Sequence, residues 1–424
     1  MSAALQPSAL QVGAASFLAR YDGAKHRLRG DAALREAAAE TFRRTGLPGA
    51  REEAWHYTSL RPMAEMEFHE PLAPAADCAD LLARLPAIEG PRLVFVDGRF
   101  RGELSAVPSH ISVRTGAPAF GTLAKPADEK LVALNTMLAE DGAAISVPEG
   151  IEAGTLLLVS LATDPQNRPV AFHPRHSVQV MRGASLTLVE IAIGEGSYLH
   201  NPVFSLTVAE DAKLVHLRLQ DESPASFHLS TVYADVAARG VYDSFALTLG
   251  AKLARMEVHA RLAGENAAAH LNAAQLLGGD QHADFTTVVA HDAPSTASRQ
   301  TVKNVLTGHS RGVFQGKIEV ARIAQKTDGY QMNQALLLSP NAEMDSKPQL
   351  EIYADDVKCS HGATVGELDA DQLFYMRSRG VPDAEARTIL VRAFLSEALD
   401  PIAHETARAA METAIGAWWD RQAA

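Results

Sequence analysis

The chain has 424 residues, of which 47% are hydrophobic and 21% are charged, and this composition excludes intrinsic disorder as a description of the whole. Its net charge of −12 argues against nucleic-acid partners and against binding to anionic membranes. The only two cysteines, Cys78 and Cys359, exclude a disulfide framework and any metal cluster held by four thiolates of this chain alone. They favour a reducing compartment, so we expect a cytoplasmic protein.

Membrane and export signals are missing from the sequence. No apolar run approaches the roughly 20 residues that span a bilayer, and the most apolar stretch, residues 155–162, has the length of a strand. The first residues lack a basic segment followed by an unbroken apolar one. We therefore expect neither a membrane span nor a secretory signal.

Residues 1–144 are predicted to form a mainly helical N-terminal domain. Residues 31–44 begin with a capping aspartate and stop before a Gly-x-Pro sequence, which is typical of a helix. Residues 126–140 carry leucines at helical spacing and predict a second helix. Residues 93–98 read as a strand that enters a tight turn.

Residues 145–366 have the periodicity of β-strands throughout. Short alternating apolar runs are separated by similar turn phrases, several of which recur with a period in the twenties. These phrases are Arg182-Gly183-Ala184-Ser185, Glu210-Asp211-Ala212-Lys213, Ala238-Arg239-Gly240, Ala263-Gly264-Glu265-Asn266 and Pro340-Asn341-Ala342-Glu343. Such a period predicts a mainly β fold with a β-solenoid core, in which stacked coils share one apolar interior. A β-sandwich is the alternative.

Residues 367–424 return to helical patterning and are predicted to form a C-terminal helical domain. A helix from Asp369 to Arg377 is closed by Gly380, and Pro382 and Pro401 mark the starts of two further helices. We expect these helices to cap the open end of the solenoid, or to dock a partner with their outer faces.

Recognisable nucleotide-binding and hydrolase motifs are absent, since the chain has no phosphate-binding loop, no GxGxxG after a strand, no HExxH and no GxSxG. Some solenoids cleave polysaccharides with clustered carboxylates. Glu351, Asp355 and Asp356 allow that reading, although acidic residues near a turn are usually only solvated. The missing export signal also speaks against it.

Cys359 and His361 are the strongest candidate ligands. If residues 351–364 continue as a strand, these two side chains point to the same face. A thiolate and an imidazole form a soft pair that suits metals, and we expect the adjacent Lys358 to favour the thiolate. The alternative is that Cys359 is a packed small hydrophobic residue.

The other candidate residues give weaker signals. His173 and His176 flank Pro174 and are interpreted as polar loop residues, and Cys78 is placed at the start of a helix. The remaining histidines show no clustering with a cysteine along the sequence.

About 90 residues of ordered motifs resemble the SufB/SufD family of iron–sulfur cluster assembly proteins. The matching segments are His291–Ser298, Lys303–Leu306, Ser310–Ile318, Ala324–Gln331, Leu336–Ser339, Lys347–Ile352, Asp355–Thr364, Asp371–Tyr375 and Arg379–Gly380. Residues 53–58, EAWHYT, are similar to the N-terminal E-x-W-x-Y-T phrase of the family.

Within the family, the chain is more similar to SufD than to SufB. Its length fits the shorter member, and residues 358–364, KCSHGAT, resemble the SufD version of a phrase that reads E-H-E-A-T in SufB. SufB typically has a cysteine in a Q-C-D-S phrase, where this chain has Met332, which cannot act as a thiolate ligand.

The resemblance implies a right-handed parallel β-helix between helical N-terminal and C-terminal domains. It implies a non-catalytic subunit of a SufBCD complex that pairs with SufB through the β-helices and docks a SufC ATPase, an ABC-type protein, by its C-terminal helices. Cys359 and His361 match SufD positions implicated in a transient iron–sulfur cluster at the junction with SufB. Two alternatives remain at this stage: formation of a homodimer in the absence of SufB, and a purely structural role in which the chain supplies no metal ligands.

Overall fold

The computed structural model describes residues 12–71, 78–164 and 168–423, so the N-terminal residues 1–11 lie outside it. The α-helices within these ranges are α1 (Val12–Ala24), α2 (Ala32–Thr45), α3 (Arg61–Ala64), α4 (Ala79–Ala83), α5 (Lys130–Leu138), α6 (Ala370–Ser378), α7 (Asp383–Leu399) and α8 (Glu405–Ala423). In the described part of the chain, no helix is long and apolar enough to cross a membrane.

The strands follow in chain order between these helices. They are β1 (Arg92–Val96), β2 (Arg99–Phe100), β3 (Ser112–Arg114), β4 (Ala144–Val147), β5 (Glu152–Ala162), β6 (Val170–Phe172), β7 (Arg175–Val180), β8 (Ser185–Gly194), β9 (Tyr198–His200), β10 (Val203–Val208), β11 (Lys213–Asp221), β12 (Phe227–Val236), β13 (Val241–Thr248), β14 (Leu253–Leu262), β15 (Ala268–Leu277), β16 (His282–His291), β17 (Ala297–Leu306), β18 (Arg311–Val320), β19 (Asp328–Leu337), β20 (Glu343–Ile352) and β21 (Lys358–Gly366).

The strands form a β-solenoid of about eight turns with helices on both sides of it in sequence, which confirms the predicted fold class. One sheet has ten strands and ends at β21, and the other has eleven strands and ends at β20. From β4 onward, neighbouring strands of both sheets are parallel. A sandwich would need antiparallel neighbours, so the alternative is wrong.

Coils toward the C-terminus are longer than the predicted period. Phe227 pairs with Leu253 of the next coil, and this spacing agrees with the prediction. Arg311 pairs with Glu343, and this spacing exceeds it. The extra residues lie between strands, because β18 and β20 have the same length as β14 and β16. The strand periodicity of the sequence therefore predicted the positions of the strands better than the lengths of the turns between them.

Alternate residues of each strand face the interior of the solenoid, as the strand period of two requires. On β8 and β11 of the ten-stranded sheet, even-numbered residues such as Leu188 and Leu214 belong to the interior core. Odd-numbered residues of the same strands, such as Val189 and Leu217, belong to a second apolar cluster on the outer face. Because both faces are apolar, this sheet needs a cover on its outside.

The C-terminal helices provide that cover, so the prediction that they cap the end of the solenoid is wrong. Val391 and Leu395 of α7 and Trp418 of α8 are buried against the outer face of the ten-stranded sheet. The helices can bury more apolar area on the outer face, which runs along many coils, than at the end of the solenoid, which is one coil wide.

The N-terminal helices cover the other sheet. Phe17 of α1 and Phe42 of α2 are buried in a cluster with Phe227 and Leu253, which lie on the outer face of the eleven-stranded sheet. The predicted cap of α2 is confirmed, since Asp31 accepts a hydrogen bond from the Leu34 amide at 3.0 Å.

The first solenoid strand comes earlier than residue 145. Strand β1 pairs in parallel with β5, and Asp97 and Gly98 form the predicted turn into β2 with positive φ angles of 49° and 78°. The division into domains at residues 144 and 366 stays a prediction. Strands β1 to β3 lie before residue 144, although they belong to the sheets of the solenoid.

Candidate metal centre

Cys359 and His361 lie on β21, at the open edge of the ten-stranded sheet. Strand β21 pairs with β19 on one side, opposite Gly329 and Gln331, and it is the last strand of its sheet. Residues two apart on a strand share a face and are separated by about 6.6 Å. The two side chains therefore present a sulfur and an imidazole on the interior side of the last coil.

Burial rather than charge controls the Cys359 thiol. Cys359 is half-buried and packs with Ile318 and Val320 of the coil below. Burial raises the pKa of the Cys359 thiol and the charge of Asp328 adds to the rise, while the Gly329 backbone N–H opposes it. This direction is opposite to the one expected from Lys358, because successive residues of a strand point to opposite faces and Lys358 therefore faces away from the thiol.

His361 is exposed and lies over a buried amide. Gln331, its register partner on β19, is fully buried and donates from Nε2 to the Gln349 carbonyl at 3.2 Å. The Oε1 of Gln331 has no hydrogen-bond partner in the described ranges. It approaches Gly316 so closely that a Cβ there would lie 2.1 Å from it, so a side chain at position 316 would displace the Gln331 amide.

Polar side chains replace apolar ones in the interior of the last coils. Asn304 donates to Asn333 at 2.8 Å, and Asn333 donates to Ser346 at 3.2 Å. Thr287 donates to Gln300 at 2.6 Å in the same region. The interior therefore becomes polar toward the end that carries Cys359 and His361.

The last coil leaves apolar and backbone groups exposed. Six of the ten exposed large hydrophobic residues of the described chain lie between residues 320 and 380: Ile323, Ile352, Tyr353 and Val365 on the last coils, and Phe374 and Tyr375 on the following helix α6. The free edges of β20 and β21 also present backbone groups that another strand can pair with. This end has the properties of a protein-binding surface.

The candidate pair is incomplete as a metal site within the part of the chain that the structure describes. The groups of three potential ligands among the described residues are His200 with Glu222 and His228, and Glu129 with Glu257 and His259. Neither includes Cys359 or His361. Among the described residues, the pair at β21 therefore has no third histidine, cysteine or carboxylate close enough to complete a metal site.

Buried histidines are the feature that the sequence analysis missed. His173 lies in the connection between β6 and β7, as expected, but it is buried, and His176 is a buried residue of β7, so its interpretation as a loop residue is wrong. His176 is a strand residue whose ring contacts Phe95 and Phe204 with centroids 5.2 and 4.8 Å away. The coil repeat is the feature of the sequence that could have predicted such meetings of histidines. His200 and His228 are one coil apart in the sequence, and they are register partners on adjacent strands.

The acidic residues weighed for polysaccharide cleavage do not form a catalytic pair. Glu351 is paired with Lys317 at 2.9 Å, which neutralises its charge. Asp355 and Asp356 are exposed turn residues. Cys78 directly precedes α4, as expected, and is buried.

The segment of residues 53–58 fastens the N-terminal domain to the solenoid. The Arg255 guanidinium lies 4.1 Å from the centroid of the Trp55 ring, and both residues are buried. The Thr58 hydroxyl donates to Asp284 at 2.5 Å, and Asp284 also pairs with Arg255. These contacts give the segment a structural role on the outer face of the eleven-stranded sheet.

Comparison with known proteins identifies relatives of this chain. Residues 161–394 match the family model described as SUF system FeS cluster assembly, SufBD core domain. The chain is 33% identical to the iron–sulfur cluster assembly protein SufD of Escherichia coli, over 88% of this chain and 89% of that protein. It is 32% identical to an iron–sulfur cluster assembly SufBD family protein of Synechocystis, over 87% and 86% of the two chains.

Proposed function

The chain belongs to the SufBD family of iron–sulfur cluster assembly proteins, and we propose that it is a non-catalytic subunit of a SufBCD complex. The observation that carries the proposal is the candidate ligand pair at the open end of the solenoid, Cys359 and His361, which no group of ligands among the described residues completes. A shared site explains why one subunit supplies so few ligands.

The partner at the open end would be SufB, a paralogue with its own β-helix. The free edges of β20 and β21 can pair with strands, and the exposed apolar residues around them can be buried by a second solenoid. The nascent iron–sulfur cluster is then cargo held at the junction, with Cys359 and His361 as two of its ligands. The raised pKa of Cys359 suits a thiol that becomes a thiolate only when metal arrives.

The SufC ATPase would dock on the C-terminal helices. Helix α6 has no buried residue, and its Phe374 and Tyr375 side chains are 73% and 59% exposed. Helix α7 connects α6 to the outer face of the solenoid. Nucleotide-driven dimerisation of SufC could thus move α6 and bias the junction between two states, as coupling requires.

A purely structural role is the second candidate, in which the chain stabilises SufB and recruits SufC without binding metal. The packing of Cys359 with Ile318 and Val320 favours it. Normal cluster formation in a Cys359→Ala/His361→Ala double variant would select this role.

Two further parts of the proposal concern assembly and location. The same open edge would allow a homodimer when SufB is absent. We propose a cytoplasmic location, because a chain with only two cysteines suits a reducing compartment.

The test is a pull-down of the tagged full-length chain from its own cells under anaerobic conditions, with mass spectrometry of the proteins that co-purify. We expect an ABC-type ATPase and a longer paralogue in comparable amounts. Recovery of neither protein from cells that express both would contradict the proposal.

A further inference from the structure

His200, Glu222 and His228 meet at a corner of the solenoid, far along the sequence from Cys359 and His361. His200 ends β9, Glu222 follows β11 and His228 is a residue of β12. His200 and His228 are register partners of adjacent parallel strands, so stacking of two coils brings them together. All three side chains are at most 2% exposed.

The three side chains place their donor atoms around one point. One Glu222 carboxylate oxygen lies 3.0 Å from His200 Nδ1, and the other lies 2.6 Å from His228 Nδ1. One donor atom from each residue lies within 4.8 Å of the others. Ligands at about 2.1 Å from a tetrahedral ion are separated by about 3.4 Å, so small shifts suffice to admit an ion.

The charge of Glu222 is poorly balanced by its protein neighbours. The carboxylate is buried between the imidazoles of His200 and His228. The other contact of the carboxylate is the neutral Gln220 side chain at 3.0 Å, and no lysine or arginine in the described part of the chain pairs with it. A buried anion without a cation is costly.

The outer nitrogen of each imidazole is unconstrained. His200 Nε2 and His228 Nε2 are buried and have no hydrogen-bond partner within the described residues. Without an ion, the Glu222 carboxylate accepts a hydrogen bond from the Nδ1–H of each neutral ring. Binding of an ion would replace these hydrogen bonds, and each ring would shift its proton to Nε2 and present the Nδ1 lone pair to the ion. Glu222 also lines a cavity of about 970 Å³, bordered by Lys252 and Trp418, through which an ion and a water ligand can enter.

We propose that His200, Glu222 and His228 bind one divalent transition-metal ion, with the fourth position open to the cavity. Two imidazoles and a carboxylate suit Zn²⁺, Co²⁺ and Fe²⁺, which share this coordination chemistry. The site is separate from β21, and the inference does not depend on the proposed function.

The experiment titrates the full-length, tag-free and metal-free protein with Co²⁺ and follows the visible d–d bands of the bound ion. Competition with Zn²⁺, and with Fe²⁺ under anaerobic conditions, then ranks the ions. We expect one equivalent to bind, and Glu222→Gln to weaken binding by more than about 100-fold, beyond what loss of an outer partner costs.

The matched control is Glu190→Gln. Glu190 is also buried and pairs with one imidazole, His216, at 3.2 Å, so this variant should bind Co²⁺ like the wild type. Absence of stoichiometric binding to the wild type, or equal affinity in wild type and Glu222→Gln, would overturn the proposal. If Glu222→Gln does not fold, anomalous scattering from wild-type crystals soaked in Co²⁺ decides: a peak at Glu222 supports the site, and its absence there refutes it.

Discussion

Buried neutral histidines set the response of this protein to acid. Burial lowers the pKa of His173 and of His176 from 6.5 to about 3. The unfolded chain therefore binds protons at these rings near pH 6.5, but the folded chain does so only near pH 3. Their contribution to the free energy of unfolding is complete above pH 6.5 and is lost as the pH falls toward 3.

The variant His176→Leu tests this reasoning. We expect it to be less stable at pH 7, because the Ala143 amide loses its acceptor on the ring. Between pH 6 and pH 4, however, its free energy of unfolding should fall less steeply, by about 1.4 kcal/mol per pH unit. Denaturant unfolding across this range measures the slope. The exposed His26 serves as the control position, since His26→Leu should keep the wild-type slope; an unchanged slope in His176→Leu would contradict the argument.

At the scale of elements, the N-terminal segment around Trp55 holds the N-terminal domain against the outer face of the eleven-stranded sheet. Trp55→Ala removes a buried ring from the Arg255 guanidinium, and we expect a loss of about 3 to 5 kcal/mol in the free energy of unfolding. Limited proteolysis should then cut the N-terminal domain sooner. His56→Ala, at an exposed neighbouring position, should change neither measurement.

Helix α6 carries the exposed apolar side chains that we propose to contact the SufC ATPase. The double variant Phe374→Ser/Tyr375→Ser should reduce binding of SufC by at least about tenfold while the unfolding transition stays in place, because both side chains are exposed. Titration calorimetry with purified SufC measures the affinity. Met181→Ser, at an exposed apolar residue far from α6 in the sequence, is the control. Wild-type affinity in the double variant would remove α6 from the docking surface.

Elements with a local pattern were predictable, and those that depend on stacking were not. The capping residue Asp31 predicted the start of α2, and the alternation of apolar and polar residues predicted the solenoid strands. Both features were predictable because they lie within a few neighbouring residues. The meeting of His200 with His228 depends on the register of coils, which a one-residue error in turn length would erase. The pair Cys359 and His361 was predictable as one face of a strand, but not the burial that governs the thiol.

At the scale of the whole molecule, the C-terminal helices are part of the fold, in addition to the docking role that we propose for them. Deleting residues 367–424 would expose Leu217, Leu219 and Phe245 on the outer face of the ten-stranded sheet. We expect the truncated chain to aggregate or to lose cooperative unfolding, as followed by light scattering and circular dichroism. A soluble truncated chain with the wild-type transition would show that the helices serve docking alone.

We propose the open end of the solenoid as the place where this fold takes part in cluster assembly. Its free strand edges, exposed apolar residues and polar interior meet at β21, where Cys359 and His361 lie. The account therefore predicts that partner binding and metal ligation can be separated by mutation.

The most direct test measures iron and acid-labile sulfide in the complex reconstituted anaerobically with wild type, with Cys359→Ala/His361→Ala, or with Ser360→Ala. Ser360 is exposed on the opposite face of β21, so it is the matched control. We predict equal assembly of all three complexes by gel filtration, and loss of most of the cluster only in the double variant. A wild-type cluster content in the double variant would contradict the ligand role of Cys359 and His361.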